Sequence, residues 1–310
     1  MAAPSLVDPV NPELAPRDLT SDLDLSPAQL ARAVDLSLQM KRTPLRFSRS
    51  LEGRYLSLLF EKPSLRTRMT FELAIRQLGG DSVVSIGPVA EREPVKDVAR
   101  NLERWTQGIV ARVFSQTTID ELAQWSSVPV INALSDLYHP CQAMADVVTL
   151  KEHFGRLEGL KIAFVGDGNN VAHSLMLTAG RLGAEVAVAA PRGYQPNPEI
   201  VAEASKSAKI TITADPLEAV SASHAVYTDV WTSMGQEAEA DERKRIFSPY
   251  RVGLDLFAKA RPDAIFMHCL PAKRGQEVTE EMIESPRSVV FDQAENRLHA
   301  QKALLLMLLG

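Results

Sequence analysis

Residues 161–183 read KIAFVGDGNNVAHSLMLTAGRLG, and this stretch decides the fold. The apolar run Lys161–Val165 predicts a buried strand, and the pattern from Asn170 to Leu182 predicts a helix that Gly183 ends. A buried strand followed directly by a helix is the repeating unit of a parallel sheet with both faces covered. The stretch therefore predicts an α/β fold.

The same alternation extends over the rest of the chain. Toward the N-terminus, strands are predicted at 55–60, 81–86, 109–114 and 129–133. Toward the C-terminus, strands are predicted at 185–190, 210–214, 224–229 and 264–268, followed by a final helix at 292–309. The pattern divides near Gly155, so we expect two doubly wound parallel-sheet domains of similar size, linked by helices. The expected ranges are 1–150 and 151–290, with the C-terminal helix, 291–310, packing back on the first domain.

Composition excludes several classes of protein. The chain has 310 residues, and 34 basic against 39 acidic residues give a net charge of −5. This balance argues against a nucleic-acid-binding protein. The longest apolar run, Ala303–Leu309, is far shorter than the ~20 residues that span a bilayer, and Cys141 and Cys269 fit no metal-ligand or disulfide spacing. We therefore expect a cytoplasmic protein with no membrane or nucleic-acid partner.

Ligands of open α/β sheets bind beyond the carboxyl ends of strands, so the residues that follow each strand are candidates for a site. We call the segment that directly follows a strand the exit of that strand. The first exit that carries polar groups is Glu61–Arg68, between a strand and a helix. The helix N-terminus, the hydroxyls of Ser64 and Thr67 and the guanidinium of Arg66 together suit a phosphate. A capped helix with surface arginines is the alternative, and the glycines of a P-loop are missing.

Two further exits of the first half carry polar groups. His139, in His139-Pro140-Cys141-Gln142, precedes a helix and either donates to a developing oxyanion or caps the helix; Gln142 lies one turn further on. Arg112 lies in the apolar strand 109–114, where a buried guanidinium needs a partner. That partner is a bound anion or an internal salt bridge.

The exits of the second half differ in character. Gly166-Asp167-Gly168-Asn169-Asn170 resembles a dinucleotide fingerprint without its third glycine, which keeps a nicotinamide-dependent oxidoreductase as a weak alternative. Asp229 ends a strand and suits an ammonium group, with Ser233 as a second polar contact, or it caps the next turn. Cys269, in His268-Cys269-Leu270-Pro271, is a nucleophile, a ligand or an apolar filler.

Four of these motifs occur in one order and at strand exits, and together they resemble the aspartate/ornithine carbamoyltransferase superfamily across nearly the whole chain. The Ser-x-Arg-Thr and His-Pro-x-Gln motifs are similar to the half that binds carbamoyl phosphate. The Asp-x-Trp-x-Ser-Met-Gly and His-Cys-Leu-Pro motifs are similar to those of the ornithine-specific branch. The resemblance implies transfer of the carbamoyl group from carbamoyl phosphate to the δ-amine of L-ornithine, which gives L-citrulline and phosphate. A sister enzyme that carbamoylates aspartate or an acylated ornithine is the nearer alternative.

The resemblance also implies roles for residues. Arg112, His139 and Cys269 are the implied catalytic residues. The implied ligands of carbamoyl phosphate are Ser64, Leu65, Arg66, Thr67, Arg112, His139, Gln142, Cys269, Leu270 and Arg297. The implied ligands of ornithine are Asn170, Asp229, Ser233 and Met234. No metal and no organic cofactor is implied.

The resemblance finally implies an assembly, a homotrimer or a multiple of trimers. This chain departs from the family pattern in two places. Leu65 stands where relatives often have threonine, and Gly87–Pro94 lacks the glutamine that many relatives direct toward a neighbouring subunit.

Overall fold

A computed structural model describes residues 16–232 and 237–310 and divides into two compact units. Unit 1 comprises the described residues up to Val148 together with Asn296–Gly310, and unit 2 comprises the described residues of Thr149–Glu295. Each unit is built on its own parallel sheet, so the predicted α/β fold class is confirmed. The sequence ranges of the expected domains stay a prediction, because a compact unit is not by itself shown to be an independent domain.

Unit 1 contains four strands and the helices between them. Its elements are α1 (Pro27–Arg42), β1 (Tyr55–Phe60), α2 (Leu65–Gln77), β2 (Asp81–Ile86), α3 (Val95–Leu102), β3 (Gly108–Arg112), α4 (Gln116–Trp125), β4 (Val130–Leu134) and the first part of α5 (Pro140–Phe154). The strands are parallel in the order β2-β1-β3-β4. The chain leaves β1 toward β2 on one side and returns to β3 on the other, so the exits of β1 and β3 form the switch point where such sheets bind ligands.

Unit 2 has a five-stranded sheet. Its elements are β5 (Lys161–Val165), α6 (Asn170–Arg181), β6 (Glu185–Ala189), α7 (Pro198–Ala204), β7 (Ile210–Thr213), α8 (Pro216–Val220), β8 (Ala225–Thr228), α9 (Ala240–Phe247), α10 (Leu254–Phe257), β9 (Ile265–His268), α11 (Glu280–Ile283) and the start of α12 (Val290–Leu309). All neighbours pair in parallel, in the order β7-β6-β5-β8-β9. Here the switch point lies between β5 and β8.

The loop after β5 explains the Gly-x-Gly pattern without a dinucleotide. Gly166 has φ = +144°, a conformation that favours glycine. A Cβ on Gly168 would meet the backbone nitrogen of Pro196 at 2.2 Å, while the Gly168 N–H donates to the Tyr194 carbonyl at 2.8 Å. Both glycines are therefore required by the turn and by the close approach of residues 194–196.

Local sequence signals set several helix boundaries. Ser26 and Gln29 form a reciprocal capping box at the start of α1, with Pro27 as its first residue. The polar stretch 236–245 carries no such signal and predicts a mobile segment; Gln236 lies outside the described residues, whereas helix α9 begins at Ala240. The apolar side of α9 is hard to recognise in the sequence, because one of its two buried residues, Arg243, is charged and only the other, Phe247, is apolar.

The final helix, α12, is the longest of the described helices at 20 residues. Its last part belongs to unit 1, where Lys302 is buried and donates from Nζ to the Gln77 Oε1 at 3.1 Å. Among the helices that the structure describes, none combines the length and the hydropathy needed to cross a membrane.

Candidate active site

Two guanidinium groups converge on one hydroxyl in unit 1. The Thr67 Oγ1, fully buried in the first turn of α2, accepts a hydrogen bond from Arg297 Nη2 at 2.7 Å and from Arg112 Nη1 at 3.3 Å. Arg112 is the last residue of β3, and Arg297 comes from α12, 230 residues after Thr67. Two buried cations held at one point form a strong local positive field, which favours an anion.

The exits of β1 and β3 are fixed against each other beside this cluster. The Glu61 N–H donates to the Arg112 carbonyl at 2.9 Å, and the Glu61 carboxylate accepts from the backbone N–H groups of Phe114 at 2.8 Å and Val89 at 2.9 Å. The loop that leads into α2 is therefore held at the switch point by the backbone N–H and the carboxylate of Glu61.

The N-terminus of α2 is open to a ligand. Ser64 occupies the N-cap position, but among the described residues its side chain accepts no hydrogen bond from the first turn. The alternative of a helix capped by the Ser64 side chain is therefore not what the structure has, and the hydroxyl is left for another partner. Arg66 is half-buried, while Leu65 is exposed and offers only its backbone. An uncapped helix N-terminus with backbone N–H groups and a partial positive charge is an anion site.

His139 is buried at the start of α5, near both arginines. Burial, and then the cations of Arg297 and Arg112, hold the pKa of His139 well below its usual range. The imidazole is thus neutral at physiological pH and acts as a hydrogen-bonding group without adding charge to the cluster.

Gln142 lies on the next turn of α5 and is buried. Its Nε2 donates to Asp146 Oδ1 at 2.8 Å, and within the described residues its Oε1 has no hydrogen-bond partner. A buried carbonyl oxygen with no donor is costly, and a ligand N–H can supply the donor. Cys141 is not a nucleophile of this group, because burial raises the pKa of its thiol to about 12.

Unit 2 holds a carboxylate at its own switch point. Asp229 directly follows β8 and is 7% exposed. Its Oδ1 accepts from the Val230 N–H at 2.7 Å and from the Cys269 Sγ at 2.9 Å, and its Oδ2 accepts from Asn169 Nδ2 at 2.8 Å. A fixed, largely desolvated carboxylate suits an ammonium group.

The backbone beside Cys269 is fixed by a buried histidine. The Nδ1 of His268 accepts from the Leu270 N–H at 2.9 Å, which leaves Nε2 protonated to donate to Glu277 Oε1 at 3.3 Å. Both side chains are fully buried. Leu270 has φ = +54°, so the chain turns sharply after Cys269, and His268 stabilises this turn.

The structure thus brings together two groups of the predicted residues. Thr67, Arg112 and Arg297 are in hydrogen-bond contact in unit 1, with His139 within their electrostatic reach. Asp229 and Cys269 are in contact in unit 2. Asn170 is the first residue of α6, whereas Ser233 and Met234 lie outside the described residues. The roles assigned to these residues stay predictions.

Two residues, Asn169 and Arg243, make contacts that the local sequence pattern does not predict. Asn169 and Asn170 both offer an amide to a small substrate, and the structure shows Asn169 donating to the Asp229 carboxylate instead. Arg243 of α9 donates from Nε to the Trp231 carbonyl at 2.6 Å and pairs with Asp167, and its guanidinium lies 4.8 Å from the ring centroid of Tyr194. Asp167, between the two glycines after β5, is visible in the sequence, but its partner 76 residues later is not.

Family models match both halves of the chain. One described as "Aspartate/ornithine carbamoyltransferase, carbamoyl-P binding domain" matches residues 17–152, and one described as "Aspartate/ornithine carbamoyltransferase, Asp/Orn binding domain" matches residues 158–308.

Similar proteins cover nearly the full chain. The ornithine carbamoyltransferase of Thermus thermophilus is 52% identical over 298 residues, which are 95% of this chain and 97% of that protein. The ornithine carbamoyltransferase of Thermococcus kodakarensis is 53% identical over 270 residues, 84% of this chain and 86% of that protein. The solved structure of the Pyrococcus furiosus ornithine carbamoyltransferase gives a TM-score of 0.92 at 46% identity and covers 96% of this chain and 98% of that one.

Proposed function

Since the chain belongs to the aspartate/ornithine carbamoyltransferase family, we propose that it transfers the carbamoyl group of carbamoyl phosphate to the δ-amine of L-ornithine, giving L-citrulline and phosphate. The observation that carries this proposal is the convergence of Arg112 and Arg297 on Thr67 at the switch point of unit 1. Relatives about 50% identical over most of the chain support ornithine as the acceptor.

Unit 1 binds carbamoyl phosphate in this proposal. The phosphate lies against the N-terminus of α2, where Ser64, Thr67, Arg66 and the backbone N–H of Leu65 are donors. The carbonyl oxygen of the carbamoyl group accepts from Arg112 and from neutral His139, with Arg297 completing the cationic cluster. The unpartnered Gln142 Oε1 supports binding of the carbamoyl group itself, because its NH₂ is a donor that a plain phosphate lacks.

The same residues account for the chemistry. The neutral δ-amine attacks the carbamoyl carbon, and negative charge develops on the carbonyl oxygen, where Arg112, His139 and Thr67 stabilise it. The C–O bond to phosphate then breaks, and the leaving phosphate stays bound by Arg66 and the helix N-terminus. The free δ-ammonium has a pKa near ~10.4, so it must lose a proton before attack, and the leaving phosphate accepts a proton from the tetrahedral adduct.

Unit 2 binds ornithine in this proposal. Asp229 pairs with the α-ammonium group, and Asn170 binds the amino-acid end together with Ser233 and Met234. Cys269 and the backbone of Leu270 then contact the reacting groups. The contact from Cys269 to Asp229 supports this placement, because it ties the motif that ends β9 to the carboxylate that follows β8. The proposed compartment is the cytoplasm, where the thiols of Cys141 and Cys269 stay reduced.

The proposal includes self-association of unit 1. Leu65, Met69 and Leu73 recur every four residues on α2 and are 70%, 52% and 42% exposed, and Val83 and Ile86 of the edge strand β2 are 68% and 66% exposed. An apolar stripe beside an exposed sheet edge favours burial against a second copy of the chain. The family resemblance sets the expected number at three, or a multiple of three.

An amine panel tests the function. The purified protein is incubated with carbamoyl phosphate and, in separate reactions, with ornithine, aspartate and N-acetylornithine, and the carbamoylated products and phosphate are measured. We expect citrulline and phosphate in equal amounts from ornithine alone. Accumulation of carbamoyl-aspartate or acetylcitrulline without citrulline would reject ornithine in favour of the sister reaction.

A further inference from the structure

We propose that Asn169 is a positioning residue for the amino acid substrate, which orients the Asp229 carboxylate with its amide nitrogen while it starts helix α6 with its amide oxygen. The proposal rests on the proposed function, since it takes Asp229 and Asn170 as ligands of ornithine. It adds a residue that touches neither substrate and that acts on both ligands at once.

The amide oxygen of Asn169 caps α6. Asn169 has extended backbone angles at the N-cap position, and its Oδ1 accepts from the N–H groups of Val171 at 3.0 Å and Ala172 at 3.2 Å. The helix therefore begins at Asn170, and the cap fixes where that residue stands at the exit of β5.

The amide nitrogen of Asn169 holds the second oxygen of Asp229. Nδ2 donates to Oδ2 at 2.8 Å, while Oδ1 is bound by the Val230 N–H and by Cys269. Hydrogen bonds on both oxygens fix the plane of the carboxylate, so an ammonium group meets it in one orientation. The bond also joins the exits of β5 and β8, the two strands of the switch point of unit 2.

The cap of α6 and the contact with Asp229 together need both the oxygen and the nitrogen of one side-chain amide. Serine and aspartate cap helices about as well as asparagine, but neither offers an N–H to Asp229. Alanine supplies neither contact. The substitutions Asn169→Ser, Asn169→Asp and Asn169→Ala therefore separate the cap from the contact with the carboxylate.

A matched control exists in the same unit. Asn197 caps α7 in the same way, with Oδ1 accepting from the Glu199 N–H at 2.9 Å, and it makes no described contact with Asp229. Asn197→Ser repeats the chemical change at a second helix start. The four variants and the unaltered protein are compared by thermal unfolding, by the KM for ornithine and carbamoyl phosphate, and by calorimetric binding of each substrate alone.

We expect Asn169→Ser to unfold near the temperature of the unaltered protein and to raise the KM for ornithine about tenfold, equivalent to about 1.4 kcal/mol. Its affinity for carbamoyl phosphate should not change. Asn169→Ala should show the same rise in KM together with a lower unfolding temperature, because the cap is also lost. Asn197→Ser should change neither KM.

The aspartate variant adds a pH signature. Asn169→Asp places a second carboxylate against Asp229. The ratio of its KM for ornithine to that of the unaltered protein should therefore be largest at pH 8. The ratio should fall toward pH 5.5, because a proton shared between two close carboxylates restores a donor. A ratio independent of pH would contradict this account of the contact.

The outcomes separate the two proposals. An unchanged KM for ornithine in Asn169→Ser, or an equal rise in Asn197→Ser, overturns the role of Asn169 while citrulline formation by the unaltered protein stands. Failure of the unaltered protein to form citrulline overturns the proposed function, and calorimetric binding of ornithine then still reports on Asn169.

Discussion

His139 shows how a cluster of cations sets the state of a single residue. Its pKa is held well below 6.5 by burial first and then by Arg297 and Arg112, so the folded protein keeps it neutral where an unfolded chain protonates it. The unfolded state therefore binds more protons below about pH 6.5. His139 thus lowers the free energy of unfolding as the pH falls through that value. A neutral imidazole is also the form that donates a hydrogen bond without repelling the arginines.

We predict that the His139 ring does not titrate between pH 5.5 and 8. The ring carbon resonances of the folded protein report this directly, with the His139→Asn variant assigning the signal. As the pH falls, the free energy of unfolding of the unaltered protein should also decrease more steeply than that of the His139→Asn variant. A His139 signal that titrates with a midpoint near 6.5 would rule out the neutral role.

Local sequence patterns predict some residues of the candidate site but not the contacts between distant parts of the chain. Arg112 near a strand end and Ser64 before a helix are visible as local anomalies, so they could be predicted as an anion site. The contact of Arg297 with Thr67 spans 230 residues, and no local pattern encodes it. The amides of Asn169 and Asn170 look alike in the sequence, and only the start of α6 shows that Asn169 is the cap and Asn170 the first helical residue.

At the scale of elements, α9 is anchored by a buried ion pair. Arg243 of this helix pairs with Asp167 after β5 and donates to the Trp231 carbonyl after β8. Burial raises the pKa of Asp167 to about 6, with the nearby Arg243 opposing that rise. Because this folded-state pKa lies above that of an unfolded aspartate, Asp167 lowers the free energy of unfolding as the pH rises from about 4 to about 6.

We predict that Arg243→Gln lowers the free energy of unfolding by about 3 kcal/mol at pH 8, since it leaves a buried carboxylate without its cation. The loss should be clearly smaller at pH 5.5, where the carboxyl can be protonated. Urea unfolding at the two pH values measures this, with Asp167→Asn in the Arg243→Gln background as the matched rescue. An equal loss at both pH values would show that Arg243 acts by packing alone.

Elements differed in how far the sequence predicted them. The strands at 55–60 and 161–165 are apolar runs between clear turn signals, and the structure has them at the same residues. The predicted strand 109–114 instead ends at Arg112, since the chain must leave the sheet there to reach α4. The polar composition of α9 conceals the helix in the sequence, because one of its two buried positions carries a charge that only the partner Asp167 explains.

At the scale of the whole molecule, the exposed apolar face of unit 1 governs the expected assembly. We predict that Leu73→Glu, in the middle of the α2 stripe, reduces the particle mass in solution to the 34.0 kDa of one chain, because a buried charge opposes association. Leu217→Glu, on the 52% exposed Leu217 of α8, is the matched control and should leave the mass unchanged. Light scattering coupled to gel filtration measures the particle mass. A mass that stays above that of one chain in Leu73→Glu would place the interface elsewhere.

The organisation of the two sheets unites these observations. Each sheet places its polar cluster at the switch point, with cations in unit 1 and a carboxylate in unit 2. The net charge of −5 therefore describes the chain as a whole and conceals the cationic cluster of unit 1. This difference in charge is the physical basis for assigning the phosphate to one unit and the ammonium group to the other.

The affinity of Arg297→Gln for carbamoyl phosphate tests whether the cluster around Thr67 binds that ligand. Calorimetry without ornithine compares this variant with the unaltered protein and with Arg76→Gln, which removes an exposed arginine of the same unit. The account predicts at least about a tenfold loss of affinity for Arg297→Gln, since a hydrogen bond to a charged group is worth about 1.5–3 kcal/mol, and no change for Arg76→Gln. An unaltered affinity in a folded Arg297→Gln variant would contradict it.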